Sequence, residues 1–175
     1  YIAHQENFQG LTVKIIPDSD CQNPYEDWDQ FGIMVHWHKR GFIGTDWSRF
    51  DDIPERIASL EKEGALILPV YLYEHSGQTI STGAFGCPWD SGQVGFIYVE
   101  RAKVLKEYSA KIMTKAVKEK ALSVLRGQIE TIDDYLTGNV YGFVVEDKNG
   151  EELDSCWGFF GDYKDHCLNE ARDVA

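Results

Sequence analysis

The chain reads as an α+β fold, with one long and two short helices packed on a mainly antiparallel sheet of about six strands. Three observations lead there. Short alternating apolar runs recur between turn residues, as in LTVKIIP at 11–17 and GQVGFIYVE at 92–100. One stretch, 101–136, carries apolar residues at three- and four-residue spacing over far more length than a strand uses. The links between strand-like runs are mostly short and hairpin-like, which favours antiparallel pairing over βαβ crossovers.

The elements follow in order. In 11–17, Leu11, Val13 and Ile15 alternate with Thr12 and Lys14 until Pro17 ends the strand. An acidic loop, DSDCQNPYEDWD, precedes a second strand at 31–38 and a glycine-containing turn. DDIPERIASLEKEG reads as a short helix, with Asp51 or Asp52 as cap, Pro54 in the first turn and Gly64 as stop. Residues 65–75 form an apolar strand whose Pro69 implies an edge or a bulge, and 92–100 pairs with it. From 101 to 136 helix formers dominate, with Ile112, Met113, Ala116, Val117, Leu125, Ile129, Ile132 and Leu136 facing inward and Gly127 as a bend. A helix running unbroken from Ser109 would be roughly 42 Å long. The last strands flank an Asp147–Gly150 turn, and a short helix from about Tyr163 closes the chain.

At 175 residues and 43% hydrophobic composition, a single domain over 1–175 is the expectation. No apolar run is long enough to span a bilayer, and YIAHQENFQG lacks the basic flank and apolar block of a signal peptide, so a cytoplasmic protein with no membrane partner is expected. Cys21, Cys87, Cys156 and Cys167 form no C-x-x-C pair and read as reduced thiols.

Charge narrows the function classes. The chain holds 29 acidic and 17 basic residues, a net −12. Residues 101–126 hold eight basic residues against two acidic ones, a local +6, which leaves −18 on the remainder. Duplex DNA is a poor direct partner for such a surface, because binding it relies on lysines and arginines neutralising phosphates.

Chemistry-bearing residues gather in four places. In YLYEHSGQTISTGAFGCPWDSGQVGFIYVE, His75, Ser76, Ser81, Thr82, Cys87 and Asp90 could form a thiol site, but Pro88 removes the next backbone N–H from any oxyanion hole. The glycines there suit an irregular crossing between strands. His36 and His38 point to one face of a strand and could grip a metal if His75 or Asp46 joined them, yet no second metal motif supports this. Cys156, His166 and Cys167 read as structural, and no phosphate-cradling glycine loop occurs, so no cofactor is expected. Lys111, Lys115 and Lys118 make one stripe that a solvated face explains, or that could meet phosphates or an acidic patch of a second copy, as in a homodimer.

Three acidic clusters remain: Asp18, Asp20, Glu26, Asp27 and Asp29; Glu130, Asp133 and Asp134; and Glu146, Asp147, Glu151, Glu152 and Asp154. Tyr25, Trp28, Tyr135 and Trp157 interleave with them. Solubility accounts for such clusters in many proteins. Carboxylates held on a rigid scaffold can also stand in for a row of phosphates, which arginines would accept.

The motifs PYEDWD, VYLYEHSGQTIST, CPWDSGQVGFIYV, YLTGNVYGFVVE and DSCWGFFGD, spread over 24–161, together resemble a family of small acidic proteins carried by phages, plasmids and integrative elements of gut Firmicutes. The resemblance implies a non-enzymatic anti-CRISPR inhibitor of the type II RNA-guided nuclease, in contact with the effector and its guide RNA. An antirestriction DNA mimic is the neighbouring alternative. A small hydrolase using Cys87 with His75, or a metal at His36 and His38, is the alternative from another class.

Overall fold

In this computed structural model all residues from 1 to 175 are described. In chain order the elements are β1 (His4–Phe8), β2 (Leu11–Pro17), β3 (Ile33–His36), β4 (Thr45–Asp46), α1 (Ile53–Lys62), β5 (Leu66–Glu74), β6 (Gln78–Ser81), β7 (Ser91–Val99), α2 (Arg101–Glu107), α3 (Lys115–Thr137), β8 (Val140–Glu146), β9 (Glu152–Phe160) and α4 (Cys167–Val174). They belong to two compact units, one of residues 1–27 with 134–175 and one of residues 28–133.

The first unit holds a four-stranded antiparallel sheet in the order β1-β2-β8-β9. Val13 and Ile15 of β2 and Phe143 and Val145 of β8 bury one face of it against Cys167, Leu168 and Ala171 of α4. The other strand partners alternate away from that core, as a period of two requires. Asp147 shapes the β8–β9 turn: its carboxylate accepts the N–H of Asn149 at 2.7 Å and of Glu151 at 2.9 Å, and Gly150 takes the positive φ of 83°.

Edge strand β1 is tied to α4 by a two-point ion pair. Arg172 donates through Nε and Nη2 to the Glu6 carboxylate at 2.7 and 2.9 Å. The Arg172 guanidinium thereby holds the Glu6 carboxyl down at about 2, against an ordinary value of 4.5. A carboxylate with a depressed folded-state value stabilises the fold above its ordinary value and loses that contribution as pH falls toward the folded value. The pair is partly exposed, so solvent screening keeps the stabilisation well below what the depressed value alone would imply. Melting temperatures of the wild type and Glu6→Gln should therefore differ at pH 7 and converge between about pH 4.5 and 2.

The second unit holds a five-stranded sheet in the order β4-β3-β7-β5-β6, antiparallel except for the parallel pair β3 and β4. Met34, Val35, Val70, Phe96 and Ile97 form its buried centre. Two α3 side chains fasten this unit. Gln128 accepts the N–H of Gly32 at 2.9 Å and donates to its carbonyl at 2.8 Å, as a neighbouring strand would. A Cβ on Gly32 would meet Leu125 Cδ2 at 2.3 Å, so only glycine permits this approach.

The α+β class stands, but the single six-stranded sheet becomes nine strands in two sheets, and three helices become four. β1, HQENF, carries too few apolar residues to read as a strand, and β4 and β6 are only two and four residues long. The 101–136 helix is interrupted at 108–114, where Ser109 adopts a φ of 49° and the Thr114 hydroxyl accepts the N–H of Val117. Gly127 lies within the unbroken α3. Ile112, expected inside, is 65% exposed, and the buried stripe is Ala121, Leu125, Ile129 and Ile132. Strand β5 lies inside its sheet and bulges between Val70 and Tyr71; Pro69 pairs with Phe96 of β7 and falls where β6 does not reach.

Candidate functional site

The acids of the first cluster lie where β2 runs out. Asp18 follows Pro17, which pairs with Tyr141 near the start of β8. Its carboxylate accepts the N–H of Asp20 and, from the bulge of β9, the N–H of Gly158, both at 3.1 Å. Asp27 accepts the N–H of Asn23 at 2.9 Å. Asp20, Glu26 and Asp29 are exposed, and their side chains bond nothing. Asp29 belongs to the second unit.

The third cluster occupies the opposite end of the same sheet. Glu146 pairs with Thr12, and β8 spans seven residues from Val140 to there, roughly 20 Å. The sheet of the first unit is thus acidic at both ends. Glu146 is neutralised by Lys14, whose Nζ lies 2.6 Å from Oε1. Asp147 anchors the turn, and the Glu151 N–H first, then its other turn bonds, hold its carboxyl below the usual range. Asp154 accepts the Ser155 N–H and Glu152 the Ser155 hydroxyl, while Glu151 is exposed and unpaired. Trp157 lies over Gly142, where a Cβ would stand 2.2 Å from its ring.

The middle cluster is chiefly structural. Asp133 Oδ1 accepts the Thr79 hydroxyl at 2.6 Å and the Ile80 N–H at 2.7 Å, so it covers the outer backbone of edge strand β6. Asp134 accepts Asn139 Nδ2 at 2.7 Å just past the helix end. Glu130 alone is exposed without a partner. Asp133→Ala should leave the Ile80 N–H unsatisfied and cost about 1–3 kcal/mol, read by urea unfolding and by faster amide exchange in β6.

Sorting the charges by unit separates them sharply. Residues 1–27 with 134–175 hold 15 acidic and four basic side chains, a net −11, whereas residues 28–133 hold 14 and 13, a net −1. Sequence reading located the acids but not this division, because the two halves of the first unit are far apart in the chain.

The second unit contains a cleft of about 510 Å³ at one end of its sheet, with His38, Glu74, Trp89 and Asp90 among its walls. His38 Nε2 lies 3.8 Å from Glu74 Oε2, and His75 Nδ1 lies 3.4 Å from Asp90. Trp89 is 91% exposed at the rim. Cys87 makes no hydrogen bond to His75; its carbonyl accepts the Ser91 hydroxyl instead. The His38–Glu74 pair thus lines the cleft, whereas of the His75–Asp90 pair only Asp90 does.

His36 is 2% exposed, and its ring meets Phe42, as does that of His38, so both histidines do share a face, with Trp37 against Phe96 on the other. Burial pushes the His36 imidazole below its ordinary value despite the pull of nearby Asp46. No three His, Cys, Asp or Glu side chains converge tightly enough to hold a metal ion. All four cysteines are free. Cys167 is buried, with its thiol pushed up to about 12 by burial, whereas Cys156 is exposed on β9.

Helix α3 starts with Lys115 and Lys118, and Lys111 lies before it rather than on the same helical stripe. No helix is long and apolar enough to cross a membrane. No family model, no curated protein and no solved structure matches the chain.

Proposed function

We propose that the protein is a non-enzymatic inhibitor that binds the type II RNA-guided DNA nuclease of a host through the acidic surface of its first unit, occupying basic surface that would otherwise hold nucleic acid. One observation carries this reading: −11 of the net −12 sits in one unit of 69 residues, while the other unit is close to neutral. Acidity serving solubility alone has no reason to concentrate in this way. Asp18, Asp147 and Asp154 are held by backbone N–H groups, which fixes carboxylates in place while leaving their charge intact. An RNA-guided nuclease keeps its heteroduplex in positively charged channels and reads a short motif with arginines, so a pre-oriented carboxylate surface competes with DNA there.

The test is competition. The protein should displace labelled target DNA from the guide-loaded nuclease and leave a restriction-modification enzyme unaffected. Displacement from the restriction enzyme alone would transfer the same surface to an antirestriction role. Displacement from neither would remove the nucleic-acid-competition reading altogether.

A further inference from the structure

The cleft of the second unit carries side chains that the fold itself leaves unused. Trp89, 91% exposed, presents a large flat apolar ring to water at its rim. Glu74 donates its backbone N–H to the Asp90 carbonyl at 2.9 Å, one step beyond the Tyr73–Ser91 pair. Two carboxylates therefore stand side by side on neighbouring chain segments and line the same cleft, which costs stability because like charges on paired strands repel. No lysine or arginine offsets them. Glu74 has His38 Nε2 at 3.8 Å and Gln78 Nε2 at 3.3 Å, and Asp90 has His75 Nδ1 at 3.4 Å. Arg40 lines the cleft too, is exposed and makes no ion pair with either acid.

These features select a ligand class. An anion would face both carboxylates, and a neutral hydroxylated ligand would leave their repulsion in place. A bare metal ion would find no third ligand and would make no use of Trp89. A planar organic cation uses the whole set: guanidinium lies flat on an indole ring and donates in a fixed fork to carboxylates.

We propose that the cleft binds the guanidinium group of an arginine, stacked on Trp89 and donating to the Glu74 and Asp90 carboxylates. Its methylene stem lies along Leu72 and Val94, and its carbonyl or carboxylate oxygen meets Arg40. The cleft volume of about 510 Å³ is in the range of small-ligand sites and more than a single ion fills. Free arginine and an arginine side chain presented by another protein share this chemistry. The site lies wholly in the second unit, so it does not depend on the acidic surface of the first.

Titration of the full chain with L-arginine, N-acetylarginine amide, agmatine and citrulline tests this, read by the Trp89 indole N–H resonance and by calorimetry. L-Arginine should bind saturably at millimolar or lower concentration and shift the Trp89 signal. Citrulline, nearly the same shape without the charge, should not bind. Agmatine keeps the guanidinium but has no oxygen, so it should bind roughly fivefold more weakly than L-arginine, a difference that Arg40→Ala should abolish. Binding of N-acetylarginine amide as tight as that of L-arginine would assign the site to arginine side chains of proteins, and loss of binding on capping would assign it to the free amino acid. Trp89→Ala should weaken L-arginine roughly tenfold, and Glu74→Gln with Asp90→Asn should take binding below detection, both with wild-type circular dichroism and melting. Failure of both L-arginine and N-acetylarginine amide to bind would overturn the proposal. So would citrulline binding equal to that of L-arginine, or binding that survives the paired carboxylate substitutions or Trp89→Ala unchanged.

Discussion

Replacing Asp20, Glu26 and Glu151 together by lysine should weaken target binding by roughly 100-fold or more while leaving the fold unchanged. Each replacement shifts the charge by two, so the first unit goes from −11 to −5. These three side chains are exposed and bond nothing within the chain, and substitutions at such positions usually change stability by under about 0.5 kcal/mol each. The loss should come mainly from slower association, because rim charges steer encounter, and it should shrink as salt rises. Surface plasmon resonance on the guide-loaded nuclease measures both the size and the rate that carries it. Reversing Glu55, Glu61 and Glu63 of the second unit is the matched control, with an equal change in net charge and little expected effect on binding.

The largest stability effect is expected at Gly95. A Cβ there would lie 1.9 Å from the carbonyl oxygen of Val35 and 2.9 Å from the His36 Cα, both backbone atoms that cannot swing aside. Gly95 pairs with His36 on one side and with Val70 on the other, next to the β5 bulge, so the crowded residue belongs to a central strand. Gly95→Ala must push β3 away from β7 across the most buried part of the unit. We expect a loss of at least about 3 kcal/mol, at the upper end of overpacking costs. Gly92→Ala, on the same strand with nothing within 4 Å of its missing Cβ, should be near neutral by comparison. Urea unfolding of the two variants measures the difference.

How much of this was legible in the sequence depended on whether the signal was local. The Asp147–Gly150 hairpin, helix α1 after its proline turn and the pairing of β5 with β7 all came from patterns within a few residues. Strand β1 escaped because its ladder to β2 and its tie to Arg172 at the far end of the chain do not show in its own five residues. The break before α3 escaped because every residue from 108 to 114 except Thr114 reads as compatible with a helix, and the positive φ at Ser109 carries no glycine to announce it. The same holds for the candidate site. The thirteen acids were visible as charges, yet nothing in the sequence says that Asp133 binds the Ile80 N–H or that Glu146 is neutralised by Lys14. Those partners lie 53 and 132 residues away. The division of charge between units also needs the fold, since β2 and β8 pair across more than a hundred residues.

The measurement that bears most directly on the central claim is inhibition of DNA cleavage by purified guide-loaded type II nuclease, titrated with this protein at low and at raised salt. The account predicts stoichiometric inhibition at low salt that weakens as ions screen the acidic surface. Uninhibited cleavage at both salts, with no binding in a parallel pull-down, would contradict it.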